Sequence, residues 1–366
     1  MTASTFLRAN GSYAKADCNT PSLITQGKRR DYEWQIVWRN VLAFVYLHVA
    51  AAYAFYLIFS GRIWTSTVVF ALLFAAMSAL GITAGAHRLW AHRAYKARWP
   101  LRVFLALMQT MAFQNHIYEW VRDHRVHHKY TETDADPHNA RRGFFFSHMG
   151  WLMVRKHKEV FEKGGSVDMS DLEKDPIVMF QKRTYLFVMP LLCFILPTWI
   201  PVALWNESPW NSWYVAAIMR YTVSLHFTWL VNSAAHIWGN RPYDKYIGAT
   251  DNKTVAICAF GEGWHNYHHV FPWDYKAAEL GNYSTNFSTA LIDVAAKYGL
   301  AYDLKTVSAE MIRKRVARTG DGSHPLDKKS KQDDGHHHPE NPIWGWDDKD
   351  MTEDEKQLAE IAHKLS

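Results

Sequence analysis

The stretch VLAFVYLHVAAAYAFYLIF, residues 41–59, contains no Asp, Glu, Lys or Arg. At roughly 1.5 Å per helical residue it is long enough to cross a hydrocarbon core of roughly 30 Å. Three further apolar runs follow at 68–86, 185–204 and 213–235. Short connectors at 60–67 and 205–212 pair the four runs into two hairpins. The pattern predicts an all-α integral membrane protein with four transmembrane helices, not the two soluble domains that 366 residues could also form.

Charge sets the expected orientation. Residues 1–30 are polar and aperiodic, without the continuous apolar core of a signal peptide, and Lys28, Arg29, Arg30 and Arg39 precede the first run. The 60–67 connector carries one arginine and the 205–212 connector none, whereas 88–183 is rich in Lys and Arg. That bias places both termini and every histidine cluster on the cytosolic side. The chain then divides into a disordered cytosolic N-terminus (1–30), a membrane and catalytic domain (31–300) and a cytosolic C-terminal tail (301–366), charged and dotted with Gly and Pro over 319–351.

Between the hairpins, 101–113 is apolar but too short to span, and reads as a helix at the interface or under the cytosolic domain. An ordered loop is expected beyond Tyr130, then a helix carrying Arg155 and Lys156; no strand pattern stands out. Three cysteines, with Cys193 inside a span, suggest no disulfide framework. The net charge of +6 gives no reason to invoke nucleic acid, because the basic residues sit beside the spans, where an anionic bilayer surface explains them.

The histidines carry the chemistry. Eight fall in three tight clusters: His87 and His92 in HRLWAHR, His124, His127 and His128 in HRVHH, and His265, His268 and His269 in HNYHH. On a helix, residues i, i+3 and i+4 share a face, so each HxxHH aims three neutral imidazoles at one point, as iron, zinc or copper would need. The i, i+5 pair lies about 140° apart on an ideal α-helix, which predicts that the helix ends or unwinds there. His236 closes NSAAH at the end of the fourth run, with Asn232 four residues before it on the same face. It reads as a ninth ligand, and Asn232 as a water-bridged or outer partner. His226 is too deep to share that metal; it, His48, His138, His148 and His157 read as structural, and His336 to His338 in the polar tail as solvated or adventitious metal binding, not catalysis. No thiolate sits in the clusters, and neither a HExxH pattern nor a G-x-G-x-x-G turn is present.

At these residues the chain resembles the membrane-bound acyl-CoA desaturases of the stearoyl-CoA desaturase type, over about 33–300 and with insect-like features that include the HPENPIWGWDD tail. The resemblance runs through WRN, GITAGAHRLWAHR, QNHIYEWVRDHRVHHK, TDADPHN, RRGFFFSHMGW, VRKH, TWLVNSAAH and GEGWHNYHH. It implies a four-helix membrane stem capped by a cytosolic helical domain that holds two non-haem irons. The implied ligands are His87, His92, His124, His127, His128, His236, His265, His268 and His269, with Asn232 acting through water; no catalytic residue beyond these is implied. The family's CoA and thioester contacts match Asn40, Asn115, Arg122, Asp123, Arg155 and Lys156, and the residues shaping its bent acyl tunnel match Gln114, Trp120, Thr228 and Trp229. The implied reaction inserts a cis double bond, at delta-9 or a related position such as delta-11, into a long-chain acyl-CoA. It would use O₂ and electrons from cytochrome b5 and its NADH-dependent reductase, at the endoplasmic reticulum membrane. A hydroxylase or acetylenase on the same scaffold is the enzymatic alternative, and a non-catalytic lipid-binding protein the other. The tunnel end is expected near Ala71, Phe74 and Ala75.

Overall fold

The computed structural model describes residues 34–326 and 341–365. The expectations for residues 1–30 and for His336, His337 and His338 lie outside the described residues. The described residues from Gln35 onward form one compact, mostly helical unit.

Among the described residues, three helices are long and apolar enough to cross a membrane: Trp38–Phe59, Thr65–Ala91 and Pro176–Trp205. Their outward faces are apolar and uncovered, with Leu186 and Phe187 78% and 82% exposed. Such area in water would cost roughly 25 cal/mol per Å², a cost that lipid removes. The third helix starts before the expected 185, at Pro176, because Asp175 caps it by accepting from the Ile177 and Val178 N–H groups. Its first turns carry Gln181, Lys182 and Arg183, which no hydropathy run could include.

The fourth expected run is helical over 209–232. Arg220, Thr222, Ser224, His226 and Thr228 lie within it, so three helices, not four, qualify by length and composition among the described residues. Arg220 is buried and donates to the carbonyls of Met111, Cys193 and Ala216. Those oxygens satisfy a guanidinium that the bundle would otherwise exclude.

Where the second helix reaches the histidines, Gly81–Ala91 widens into i→i+5 turns, and the His92 N–H donates to the His87 carbonyl at 3.1 Å. The α-helical separation of this pair is thereby removed, and the two rings approach to 4.6 Å between centroids. Gly81 lets the helix Trp99–Met111 come close: a Cβ there would lie 2.7 Å from the Met108 Cβ. The next helix, Ile117–Tyr130, carries the second histidine cluster.

Two expectations are corrected. Arg155 and Lys156 sit on extended chain, where Val154 bridges Ile36 and the Arg155 N–H donates to the Gln35 carbonyl. The C-terminal stretch is not all surface tail: Ile343, Trp344, Asp348 and Met351 are buried. Two short antiparallel pairs organise the residues past 300: Lys96–Ala97 with Ala301–Tyr302 ties them to earlier chain, and Leu304–Val307 with Ala359–Ala362 ties the C-terminal stretch to what precedes it. Strands of two to four residues are too short for alternation to show.

Candidate functional site

Four segments converge on one cluster: the wide-turned helix end (His87, His92), Ile117–Tyr130 (His124, His127, His128), Ala234–Ile237 (His236) and His265–Val270 (His265, His268, His269). The cluster divides into two groups that could each hold a metal ion. His87, His92, His124, His128 and His268 form one, and His127, His236, His265 and His269 the other; within each, all donor atoms lie within 4.8 Å of one another.

The Nε2 atoms stand 2.9 Å apart between His92 and His124, 3.0 Å between His87 and His268, and 3.1 Å between His128 and His268. In the second group the separations are 3.0 Å for His236 and His265, 3.1 Å for His265 and His269, and 3.3 Å for His127 and His269. Rings of His128 and His269 stack at 4.2 Å between the groups. Nitrogens bound at about 2.1 Å to a common ion would have such separations.

Proton placement sharpens the point. The His92 Nδ1 contacts the Trp344 carbonyl, the His127 Nδ1 lies 2.9 Å from Asp136 and the His87 Nδ1 2.9 Å from Glu262. An oxygen acceptor holds the ring proton on Nδ1, which leaves Nε2 as a bare lone pair. Bare lone pairs 3 Å apart repel unless a cation lies between them, so the residues present fit a bound metal.

Burial, then the like charge of neighbouring rings, pushes His124, His128, His265, His268 and His269 well below the ordinary imidazole range. Burial would raise Asp136, yet facing His127 and His138 hold it below the usual carboxylate range. Linkage gives a sign. Above about pH 6.5 these histidines are neutral folded or unfolded, but below it only the unfolded chain takes up protons. The metal-free protein is therefore expected to lose stability progressively as pH falls from about 6.5 to 5, as a detergent melting series would record; metal should blunt the slope.

Two cavities meet beside the cluster. One of about 580 Å³ is lined by Asn40, Asn115, Asp123, His138, Leu47 and Trp229, among others. The other, of about 270 Å³, is lined by Leu72, Ala75, Ala76, Ala79, Ile82, His87 and His265, among others. Gln114, Trp120, His124, Thr228 and Asn232 line both, and a 2.9 Å hydrogen bond from Gln114 to Thr228 crosses the junction. Of the residues expected at the tunnel end, Ala75 lines the smaller cavity and Ala71 and Phe74 are buried core. Among the expected thioester contacts, Asn40 donates to the Leu152 carbonyl at 2.7 Å, and Asn115 takes a left-handed φ of 67°. Asp123 pairs with Lys156 and, at 3.0 Å, with Arg122. Arg122 lines a separate groove, and Arg155 lines neither cavity.

Sequence reasoning missed the partners. Glu262 and Asp136 stood in quoted motifs, GEGW and TDADPHN, without a role. His138, read as lying outside the pattern, has its ring 4.4 Å from that of His127 and lines the larger cavity. The histidines His48, His226 and His148 do form a hydrogen-bonded row ending on Ser233, consistent with the structural roles expected of them.

A family model described as Fatty acid desaturase matches residues 62–303. The chain is 60% identical over 348 residues to the Acyl-CoA Delta-9 desaturase of Acheta domesticus, covering 95% of this chain and 91% of that protein. It is 50% identical over 334 residues to the Acyl-CoA Delta(11) desaturase of Spodoptera littoralis, covering 91% and 92%. Stearoyl-CoA desaturase 5 of Bos taurus is 56% identical over 294 residues, covering 80% and 87%. The chain belongs to the fatty acid desaturase family. It is a membrane protein and an oxidoreductase.

Proposed function

We propose that the protein desaturates long-chain acyl-CoA, forming a cis double bond with O₂ and electrons from cytochrome b5 and its NADH-dependent reductase. The observation that carries this reading is the junction of the two cavities at His124 and Asn232, where an apolar chain would pass directly beside the histidine cluster. Curated names of the relatives, acyl-CoA Delta-9, Delta(11) and Delta12 desaturases, support the substrate class and leave the carbon pair to experiment.

The nine histidines would hold two irons, five on one and four on the other, with Asn232 acting through water. Iron held there would activate O₂, which supplies the oxidising power to remove hydrogen from an unactivated methylene. The chain's own residues bind, bend and dry the substrate. Asn40, Asn115 and Asp123 offer polar contacts to the thioester end, and Arg122, Arg155 and Lys156 offer cations for phosphate. Trp120, Trp229 and the Gln114–Thr228 pair bend the acyl chain, and the alanines of the smaller cavity receive its methyl end. Fixing one methylene pair and excluding water are the protein's share of the catalysis.

The 209–232 helix would serve as the fourth span, with Arg220 masked by carbonyls. Within this reading the membrane and catalytic domain covers about 31–300, both termini face the cytosol, and the membrane is that of the endoplasmic reticulum. The basic cytosolic surface suits an acidic electron donor.

Expression in a yeast strain lacking its own acyl desaturase, with mass spectrometry that locates double bonds, tests the proposal. New monoenes are expected; hydroxylated products, or none despite membrane expression and bound iron, would defeat it. In the same assay Ala75→Phe, which fills the smaller cavity, is expected to cut conversion of the longest accepted chain about tenfold or more while sparing shorter chains. Equal loss at every length would remove Ala75 from the tunnel.

A further inference from the structure

The WGWDD motif at 344–348 lies beyond the family match at 62–303, and the function described so far makes no use of it. It nevertheless grips the cluster. The Trp344 carbonyl accepts from His92 Nδ1, and the Trp346 N–H donates back to the His92 carbonyl at 2.9 Å. Gly345 between them leaves no room for a side chain: a Cβ would stand 2.6 Å from the His92 Cα.

The indole of Trp344 packs against two guanidiniums that share the Asp171 carboxylate, 4.8 Å from Arg93 and 4.0 Å from Arg125. Arg125 also donates to the carbonyls of Trp90 at 2.7 Å and Ala91 at 3.0 Å, so it closes the helix end from which His92 projects. Asp348 accepts from the Trp344 N–H at 2.8 Å and pairs with Lys129 at 2.8 Å, one residue past His128; Asp350 joins that lysine at 2.6 Å. The three cationic side chains, on Arg93, Arg125 and Lys129, come from the first two histidine motifs or their immediate edges.

We infer that residues 343–350 act as a positioning strap for the metal site, with Trp344 as the positioning residue that fixes the tautomer and aim of His92. A carbonyl can only accept, so it holds the His92 proton on Nδ1 and turns Nε2 toward His124. The indole packed on the two guanidiniums keeps that carbonyl in place. The inference rests on reading the nine histidines as an iron site.

The test uses purified full-length protein in detergent, with iron per chain, iron release to a chelator and Mössbauer spectra that separate the two sites. Trp344→Ala and Gly345→Ala are expected to speed release about 10- to 100-fold from the five-histidine group alone. Trp344→Phe, which keeps a ring over the guanidiniums, should restore near wild-type release. Asp348→Asn keeps the acceptor for the Trp344 N–H but drops the charge facing Lys129; a several-fold change is expected, and this milder variant decides the matter if the others fail to accumulate. Met351→Ala, in the apolar core that Ile343 also joins, trims packing while leaving the contacts of Trp344, Gly345 and Asp348 intact, and controls for packing alone.

Wild-type iron behaviour in Trp344→Ala, Gly345→Ala and Asp348→Asn would overturn the strap while leaving the metal reading intact. Equal loss from both groups, matched by Met351→Ala, would reduce it to a folding element and also overturn it. Wild-type protein that takes up no iron would defeat the metal reading, and the strap's role with it.

Discussion

Replacing His128 with alanine is expected to lower double-bond formation in yeast by more than about 100-fold at unchanged membrane expression, and to leave about one iron per chain. His128 links the two groups of the cluster. Its Nε2 is 3.1 Å from that of His268 within the five-histidine group, and its ring stacks at 4.2 Å on His269 of the other group. Removing it would delete a proposed ligand and leave the His269 ring without its stacking partner. His148→Ala is the natural comparison. That ring hydrogen-bonds to His226 and Ser233, and burial, then the neighbouring His226, lowers it to about 4. It is expected to cost stability without changing iron content. Full activity in His128→Ala would remove the cluster from the chemistry, and with it the desaturase mechanism.

What could be read from the sequence followed helical spacing. HRVHH and HNYHH each put three rings on one face, so the clustering of these histidines was legible. The rings do not meet at one point, however: in each motif the i and i+4 rings join one group and the i+3 ring the other, His127 apart from His124 and His128, and His268 apart from His265 and His269. His87 and His92 were legible only as a place where the helix had to change, and the i→i+5 bond between them is that change. Glu262 and Asp136 were not legible as partners, because each meets its histidine through space rather than through a helical period. Glu262 reaches His87 across 175 residues, a contact no local pattern encodes. The tail failed for a different reason. Its charges and glycines resemble a solvated segment, yet Asp348 and Lys129 neutralise one another and Trp344 stacks on arginines, so the polar residues are those that fasten it. The fourth run lost its apolar character to Arg220, whose carbonyl partners come from three different stretches of chain.

Glu262→Gln is expected to weaken iron retention in the five-histidine group about 10- to 100-fold and to destabilise the protein by about 3–5 kcal/mol. The carboxylate has two duties. One oxygen faces the His87 Nδ1 at 2.9 Å and the other takes both Nε and an NH2 of Arg88 at 3.1 and 2.9 Å. Arg88 is 1% exposed, and its remaining donors end on neutral groups, the Tyr275 carbonyl, Thr289 and Asn286. Glutamine keeps an acceptor but no charge, so the guanidinium stays buried without its counter-ion and the His87 ring loses the group that makes it a better donor. Burial works to raise the Glu262 carboxyl, but Arg88 and His87 outweigh it and hold it below the usual range. The carboxylate therefore contributes its stability fully above about pH 4.3, the unfolded value, and loses it only as pH falls through the lower folded value. The deficit of the variant should accordingly be constant from about pH 5 to 8, in melting temperature and in chelator release alike. Asp136→Asn makes the parallel change at His127, and iron should then leave the four-histidine group instead. Release from the same iron in both variants would break the assignment of each carboxylate to its own group.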